Sequence, residues 1–319
     1  KASKQNIVVV LKEFRIYSMA INLHGICNNF ADPSMMVSGK LSIIDSRNDS
    51  EVDISNIFQC DGLLLCTTKN KTRLVVWNPC TGQTKWINPR NEYYHRYDVM
   101  YHKYVFGYEN NTSPRKYKIV RVFCGHIFQL EIYEFSSNSW RILDFAPDWS
   151  LYSRGMPLKG NTYWLGRNKG PHFVLISFNF TTERFACLCL PSRNDYKTVH
   201  LSVVREEQLS VLYQRLDPFQ IEVWVTNEIK PNFVSWSKFL TVDVNKFQTT
   251  YDLWSLVSFL IDVEKKVVVL YCAKYLREGN CNNSVYIVGE DEYTEEDLGE
   301  SSSSPRPFMF TYVPSLVQI

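Results

Sequence analysis

The chain has 319 residues, 45% hydrophobic and 14% aromatic, enough to bury a substantial core. Its 35 basic and 33 acidic residues leave a net charge of +2, and the lysines and arginines are scattered, so no stripe for nucleic acid or a membrane surface is implied. No apolar run approaches the roughly 18 residues that span a bilayer, and the length suits one long all-β unit as well as two domains.

Few segments keep a helical period; short β-branched or aromatic runs alternate instead with Gly, Asn, Asp or charged turns. Strands are predicted at 57–60 and 63–67 around Asp61-Gly62, a primed hairpin turn because Gly accepts positive φ. A third strand follows at 73–78, and after a polar turn a fourth carries Trp86. Further third strands are predicted at 130–135, 174–178, 221–226 and 284–288. The hairpins before the last three turn at Lys159-Gly160-Asn161 (154–158 to 162–166), at 205–207 (201–204 to 209–214) and at 263–266 (257–262 to 267–272). Tyr133 to Trp140 and Phe178 to Phe185 share one spacing of seven, while Trp77 to Trp86 and Trp224 to Trp236 span longer turns.

The third-strand aromatics Trp77, Tyr133, Phe178, Trp224 and Tyr286 recur at intervals of 56, 45, 46 and 62 residues. A four-stranded unit of that period is the signature of a propeller blade, which must stack on its neighbours to bury its faces. Five units fill residues 56–300. A sixth is expected from 308–317 together with 14–23 and 41–45, so that the two chain ends share a blade and remove exposed edges. The fold expected is an all-β propeller of about six kelch-like blades forming a single domain over 1–319, with the aromatics as inter-blade core. A two-layer sandwich is the rival, but it leaves the repeated turn-plus-aromatic unit unexplained. The acidic, then Ser-rich stretch 289–307 reads as a solvated, flexible loop, with Ser301–304 as candidate phosphorylation positions.

Nine cysteines, at 27, 60, 66, 80, 124, 187, 189, 272 and 281, form no CxxC pair. Buried, reduced thiols of a cytosolic or nuclear protein fit them better than zinc ligands or disulfides. Asn-x-Ser/Thr triplets at Asn48, Asn70, Asn110, Asn111, Asn179 and Asn282 coincide with predicted turns and are read as turn chemistry. The six histidines, at 24, 95, 102, 126, 172 and 200, show no ligand spacing and are placed in loops. No G-x-S-x-G, H-E-x-x-H or phosphate-cradling Gly loop occurs. Asn78-x-x-Thr81-Gly82-x-x-x-Trp86 resembles the turn motif of quinone-dependent propeller dehydrogenases with Asn for Asp, but only one complete copy is present. No catalytic residue, cofactor or metal is assigned.

The segments "CDGLLLCTTKNKTRLVVWNP" with "TKWINPR", "IYEFSSNSWRILDFAPDW", "GMPLKGNTYWLG", "LISFNFTTERF", "IEVWVTNEIKPNFVSWSKFLTV" and the closing "YVPSLVQI" resemble the F-box-associated domain of plant F-box proteins. The resemblance covers almost the whole chain. It implies a substrate-recognition subunit of a Skp–cullin–F-box ubiquitin ligase, in which an F-box docks on a Skp-type adaptor and the following domain selects the protein to be ubiquitinated. No F-box is found in this chain; it either precedes Lys1 or is lacking, and adaptor and cullin are expected only through it.

Propeller topology sends the inter-blade connections and the second-to-third loops to one face, and the first-to-second and third-to-fourth turns to the other. The first face receives the long loops 88–104, 146–153, 191–198, 245–254 and 273–283. Recognition favours long loops on a rigid scaffold, and hot spots favour Trp, Tyr and Arg. The expected target-binding residues are Tyr93, Tyr94, His95, Arg96 and Tyr97, joined by Trp149, Tyr152, Arg154, Tyr251 and Trp254; the competing reading is that they cover blade ends. A glycan- or small-molecule-binding propeller is the alternative function, with aromatic rings stacking on the ligand. A propeller hydrolase is weaker, because no acid/base pair or metal set converges.

Overall fold

In the computed structural model the described residues are 7–22, 34–89, 102–124, 128–168, 170, 172–192, 198–215, 217–246, 255–276, 280–290, 293–302 and 308–319. They form six four-stranded antiparallel sheets, the blades of a β-propeller, plus a small ribbon pairing Ile44–Asp45 with Ser50–Glu51. Blade 1 comprises Ile54–Cys60, Leu63–Thr68, Leu74–Trp77 and Thr84–Ile87. Blade 2 comprises His102–Tyr108, Tyr117–Cys124, Phe128–Glu134 and Ser139–Leu143. Blade 3 has an interrupted first strand, Ser150–Leu151 then Met156–Leu158, followed by Asn161–Arg167, Phe173–Asn179 and Arg184–Leu188. Blade 4 comprises Thr198–Val204, Gln208–Gln214, Gln220–Lys230 and Phe233–Asp243. Blade 5 comprises Leu256–Asp262, Val267–Tyr275, Asn280–Val288 and Tyr293–Ser302. In the terminal blade Phe308–Tyr312 pairs with Ile7–Lys12, which pairs with Arg15–Asn22 and that with Ser34–Leu41.

The expected hairpins form with the geometry their residues dictate. Asp61 and Gly62 have φ of 56° and 73°, and Lys159 and Gly160 have 49° and 71°, the positive values a primed turn requires. The two aromatic pairs spaced by seven residues face each other across their hairpins: Tyr133 lies opposite Trp140, and Phe178 opposite Phe185. Asn70 and Asn179 act as turn residues. The Asn179 side-chain oxygen accepts from Thr181 N at 3.0 Å and Thr182 N at 2.7 Å, and that of Asn70 accepts from Thr72 N at 3.2 Å.

Three expectations are corrected. The terminal blade uses Ile7–Lys12, which the sequence pattern did not reveal because its strand partner Phe308–Tyr312 comes from the other end of the chain, and its outer strand is Ser34–Leu41 instead of 41–45. The stretch 289–307 is not a loop throughout: Tyr293–Ser302 pairs with Asn280–Val288 as the outer strand of blade 5. An outer strand tolerates acids because one face and one edge meet water, while Leu298 packs inward against the core. Ser301 is consequently buried, its hydroxyl accepting from Asn283 Nδ2 at 2.8 Å, which makes it a poor phosphorylation position. Finally, His102 and His200 lie on the strands His102–Tyr108 and Thr198–Val204 instead of in loops.

The described residues divide into two compact units, Lys1–Asn88 with Leu216–Glu222 and Phe239–Ile319, and Pro89–Arg215 with Val223–Lys238. In the first, the terminal blade stacks on blade 1 through Val9, Leu11, Ile57, Leu64, Val75 and Trp77, and on blade 5 through Val8, Val10, Val269, Tyr271 and Met309. These are alternate faces of Ile7–Lys12, so a continuous apolar strand suits a position buried on both sides. In the second unit, blade 2 meets blade 3 through Val120, Ile132, Trp164 and Phe178, and blade 3 meets blade 4 through Leu165, Leu175, Leu209 and Tyr213.

The turn end of each unit is fastened by a buried polar device. In the first, Asn78 is fully buried and its Nδ2 donates to the carbonyls of Ser315 at 3.0 Å and Val317 at 2.8 Å, while its Oδ1 accepts from Cys80 N at 2.9 Å. The C-terminal segment thus lies across the turns of blade 1. Gly62 leaves room for it: a Cβ there would sit 2.3 Å from Ser315 Cβ and 2.9 Å from Val313 O. Tyr312 Oη donates to Gly62 O at 3.0 Å. Only an amide can donate twice and accept once at position 78, which explains Asn where the dehydrogenase motif has Asp.

In the second unit Lys118 is 7% exposed and bridges blades 2 and 3, its Nζ lying 2.6 Å from Glu109 Oε1 and 2.7 Å from Glu183 Oε1. Arg141 also bonds Glu183 and lies 2.8 Å from Glu134 Oε1. Burial alone would raise the Glu183 pKa, but hydrogen bonds from Lys118 and Arg141 hold it below its ordinary 4.5. Burial opposes the charge on Lys118 too, and its bonds to Glu109 and Glu183 nonetheless raise it above 10.5.

Two outcomes follow from these devices. Asn78→Asp replaces the donor with an acceptor facing two carbonyls and should destabilise the fold by about 2–3 kcal/mol, read as a lowered urea midpoint; Gly62→Ala should act in the same direction. Glu183→Gln should lower Tm at pH 7. Because the unfolded carboxyl binds its proton more readily than the folded one, the contribution of Glu183 is present above pH 4.5 and is lost as pH falls through the folded pKa. The gap in Tm between wild type and variant should therefore narrow below pH 4.5, and a gap constant from pH 7 to pH 3 would contradict the assignment.

Candidate functional site

In each meander the second-to-third loop and the connections to other blades leave from one end, the loop end. Strand pairing shortens two of the segments expected there. His102 already begins a strand, and in blade 5 the strands extend to Tyr275 and resume at Asn280. Of the expected binding residues, Tyr93, Tyr94, His95, Arg96, Tyr97, Tyr251 and Trp254 lie outside the described residues. Trp149, Tyr152 and Arg154 fall together at the interrupted first strand of blade 3.

That interruption is a bulge. Ser150 and Leu151 pair with Arg167 and Gly166, and Met156 to Leu158 pair with Tyr163 to Asn161, so residues 152–155 face only Trp164 and Leu165. Tyr152 N and Ser153 N both donate to Leu165 O, at 2.8 and 3.3 Å, and Leu165 N donates back to Ser153 Oγ at 2.8 Å. Lys103 of blade 2 caps the bulge, its Nζ donating to Leu151 O at 2.8 Å and Ser153 O at 3.1 Å. At its end, Gly155 passes so close to blade 2 that a Cβ would lie 2.3 Å from Val105 Cγ1. A bulge re-aims the side chains it carries, and here the three residues receive different fates. Trp149 is half-buried, its ring 5.0 Å from Phe185 and 5.8 Å from Phe145, within the blade 2–blade 3 core. Arg154 is half-buried. Tyr152 projects outward, 55% exposed.

Tyr152 is joined by two residues that the sequence reading did not single out, Arg167 and Phe173. They are register partners at the loop end of blade 3's second and third strands. The Tyr152 and Phe173 rings meet edge to face at 5.6 Å, and the Arg167 guanidinium carbon sits 4.3 Å from the Phe173 centroid and 5.1 Å from that of Tyr152. Nothing in their spacing announces the trio, because the bulge and the strand register bring it together.

Burial pushes His200 down to about 4, so its imidazole is neutral near pH 7. Seven cysteines are free among the described residues, with Cys60, Cys66, Cys272 and Cys281 buried and Cys80, Cys187 and Cys189 exposed. Among the described residues no group of three or more His, Cys, Asp or Glu side chains is placed to hold a metal ion, and no helix is long and apolar enough to cross a membrane.

The chain matches the F-box associated beta propeller domain over residues 7–319. It is 45% identical to a protein of Arabidopsis thaliana named as an F-box protein, over 100% of this chain and 83% of that one. A second Arabidopsis protein, named as an F-box/kelch-repeat protein, is 42% identical over 100% of this chain and 86% of its own length. With the six four-stranded blades and the blade shared by both chain ends, these matches establish that the chain belongs to the F-box-associated β-propeller family.

Proposed function

We propose that this chain is the target-selecting module of a Skp–cullin–F-box ubiquitin ligase, a binding protein and not an enzyme. The observation that carries the reading is its membership of a domain family whose similar Arabidopsis members are named as F-box proteins. In that division of labour an F-box docks on a Skp-type adaptor, the adaptor joins the cullin, and the propeller holds the protein to be ubiquitinated. The loop ends of the blades are the place for that protein. The turn ends are committed to structure, with Asn78 and the C-terminal segment in one unit and the Lys118 network in the other. The binding set is Tyr93, Tyr94, His95, Arg96, Tyr97, Tyr152, Arg154, Tyr251 and Trp254 with Trp149 as support, and the free thiols suit the reducing cytosol or nucleus.

The protein expressed from its full coding sequence should co-purify with a Skp-type adaptor; a protein that carries an F-box and fails to do so would overturn the ligase reading. Partners cross-linked to the wild type should be lost from a Tyr93→Ala/Tyr94→Ala/Arg96→Ala variant of unchanged Tm. Equal recovery from both would show that the target binds elsewhere.

A further inference from the structure

We propose that the Tyr152–Arg167–Phe173 trio is a preorganised receptor for an acidic side chain, so that the segment recognised by this propeller presents an Asp or Glu carboxylate at that point. This rests on the target-selecting role and adds the chemistry of what is selected. Arg167 makes no ion pair and no hydrogen bond through its side chain with any described residue, and its Nε is buried and unsatisfied. Its guanidinium lies against the Phe173 and Tyr152 rings. A half-buried guanidinium with no acid beside it among the described residues can take an arriving carboxylate in a charge-assisted hydrogen bond. The flanking rings hold the planar guanidinium in one orientation, which reduces the entropy lost when it accepts a partner.

Other arginines of the chain show the contrast. Arg73, which also stacks on an aromatic ring, lies 2.5 Å from Asp45 Oδ2, and Arg141 is bound to Glu134 and Glu183. At Arg167 the stacking is in place and no acid pairs with it among the described residues. The trio is also rigid for reasons independent of any ligand. The bulge backbone is bonded to Leu165 and capped by Lys103, Arg167 and Phe173 are paired within the sheet, and Phe173 packs on the blade 3–blade 4 core. Such a site, with an exposed Tyr ring beside a fixed Arg, has the composition of an interface hot spot. One guanidinium matches one carboxylate in charge, which favours Asp or Glu over a phosphorylated residue; a phosphate would need a second cation.

The test is an oriented peptide library, nine residues long with the centre fixed as Glu, Asp, phosphoserine or Ala, passed over the immobilised full-length protein. The Glu- and Asp-centred pools should be retained roughly tenfold above the Ala-centred pool, as expected of a charge-assisted bond. Arg167→Leu should abolish the preference, and Tyr152→Ala, a change at an exposed ring, should weaken it several-fold at unchanged Tm. If Arg167→Leu lowers Tm, Tyr152→Ala decides the question alone. Equal retention of the Ala pool, selection of phosphoserine alone, or a preference surviving in the folded variants would each overturn the inference. Adaptor co-purification is independent of this readout, so its success beside a failed selection would remove the receptor and leave the ligase reading standing.

Discussion

A sheet with two apolar faces has no stable existence alone, and in this chain the terminal blade meets that constraint by pairing Phe308–Tyr312 with Ile7–Lys12. The partners come from opposite ends of the sequence, yet loop-closure entropy grows only logarithmically with separation. The pairing places Val8 and Val10 against blade 5 and Val9 and Leu11 against blade 1. It also delivers the last residues of the chain to the turns of blade 1, where Asn78 holds their carbonyls. The stacking of three blades and the anchoring of the C-terminal segment therefore depend on one antiparallel ladder.

Both units concentrate buried polar interactions at the turn ends of their blades, and the two solutions differ chemically. One uses a neutral amide to satisfy backbone carbonyls; the other uses Lys118 and Arg141 to tie carboxylates from two blades together. Each leaves few unsatisfied groups, as buried polar atoms require. The loop end of blade 3 is built on the opposite principle. There the bonds of Leu165, Ser153 and Lys103 hold the bulge, while Arg167 stacks on two rings with no acidic partner among the described residues. Rigid support beneath such an arginine is what the proposed recognition site needs.

Much of the fold was legible in the sequence because tight turns and cross-strand aromatics are local. Asp61-Gly62 and Lys159-Gly160 are primed turns by residue type alone, and the spacing of seven in Tyr133–Trp140 and Phe178–Phe185 is the signature of facing positions across a short turn. What escaped was non-local. Ile7–Lys12 becomes a central strand only because the chain's other end pairs with it. Tyr293–Ser302 looks too acidic for a strand, but an outer position lets Glu295 accept from Tyr286 and Tyr293 while Leu298 turns inward.

The candidate site divides along the same line. Tyr152 was legible as an aromatic in a connection at the loop end, since long connections and large amphipathic rings are visible residue by residue. Trp149 has the same visible features and packs into the core instead, because Phe145 and Phe185 close around it. Arg167 and Phe173 carried no signal at all. The sequence by itself determined the blade period, the turn types and the family, because these follow from backbone preferences and short-range alternation. Only the tertiary structure decided which strand joins the two ends, which aromatic packs on the core and which arginine meets no acid among the described residues. Those depend on the neighbours a side chain meets across sheet and bulge, and no local spacing encodes them.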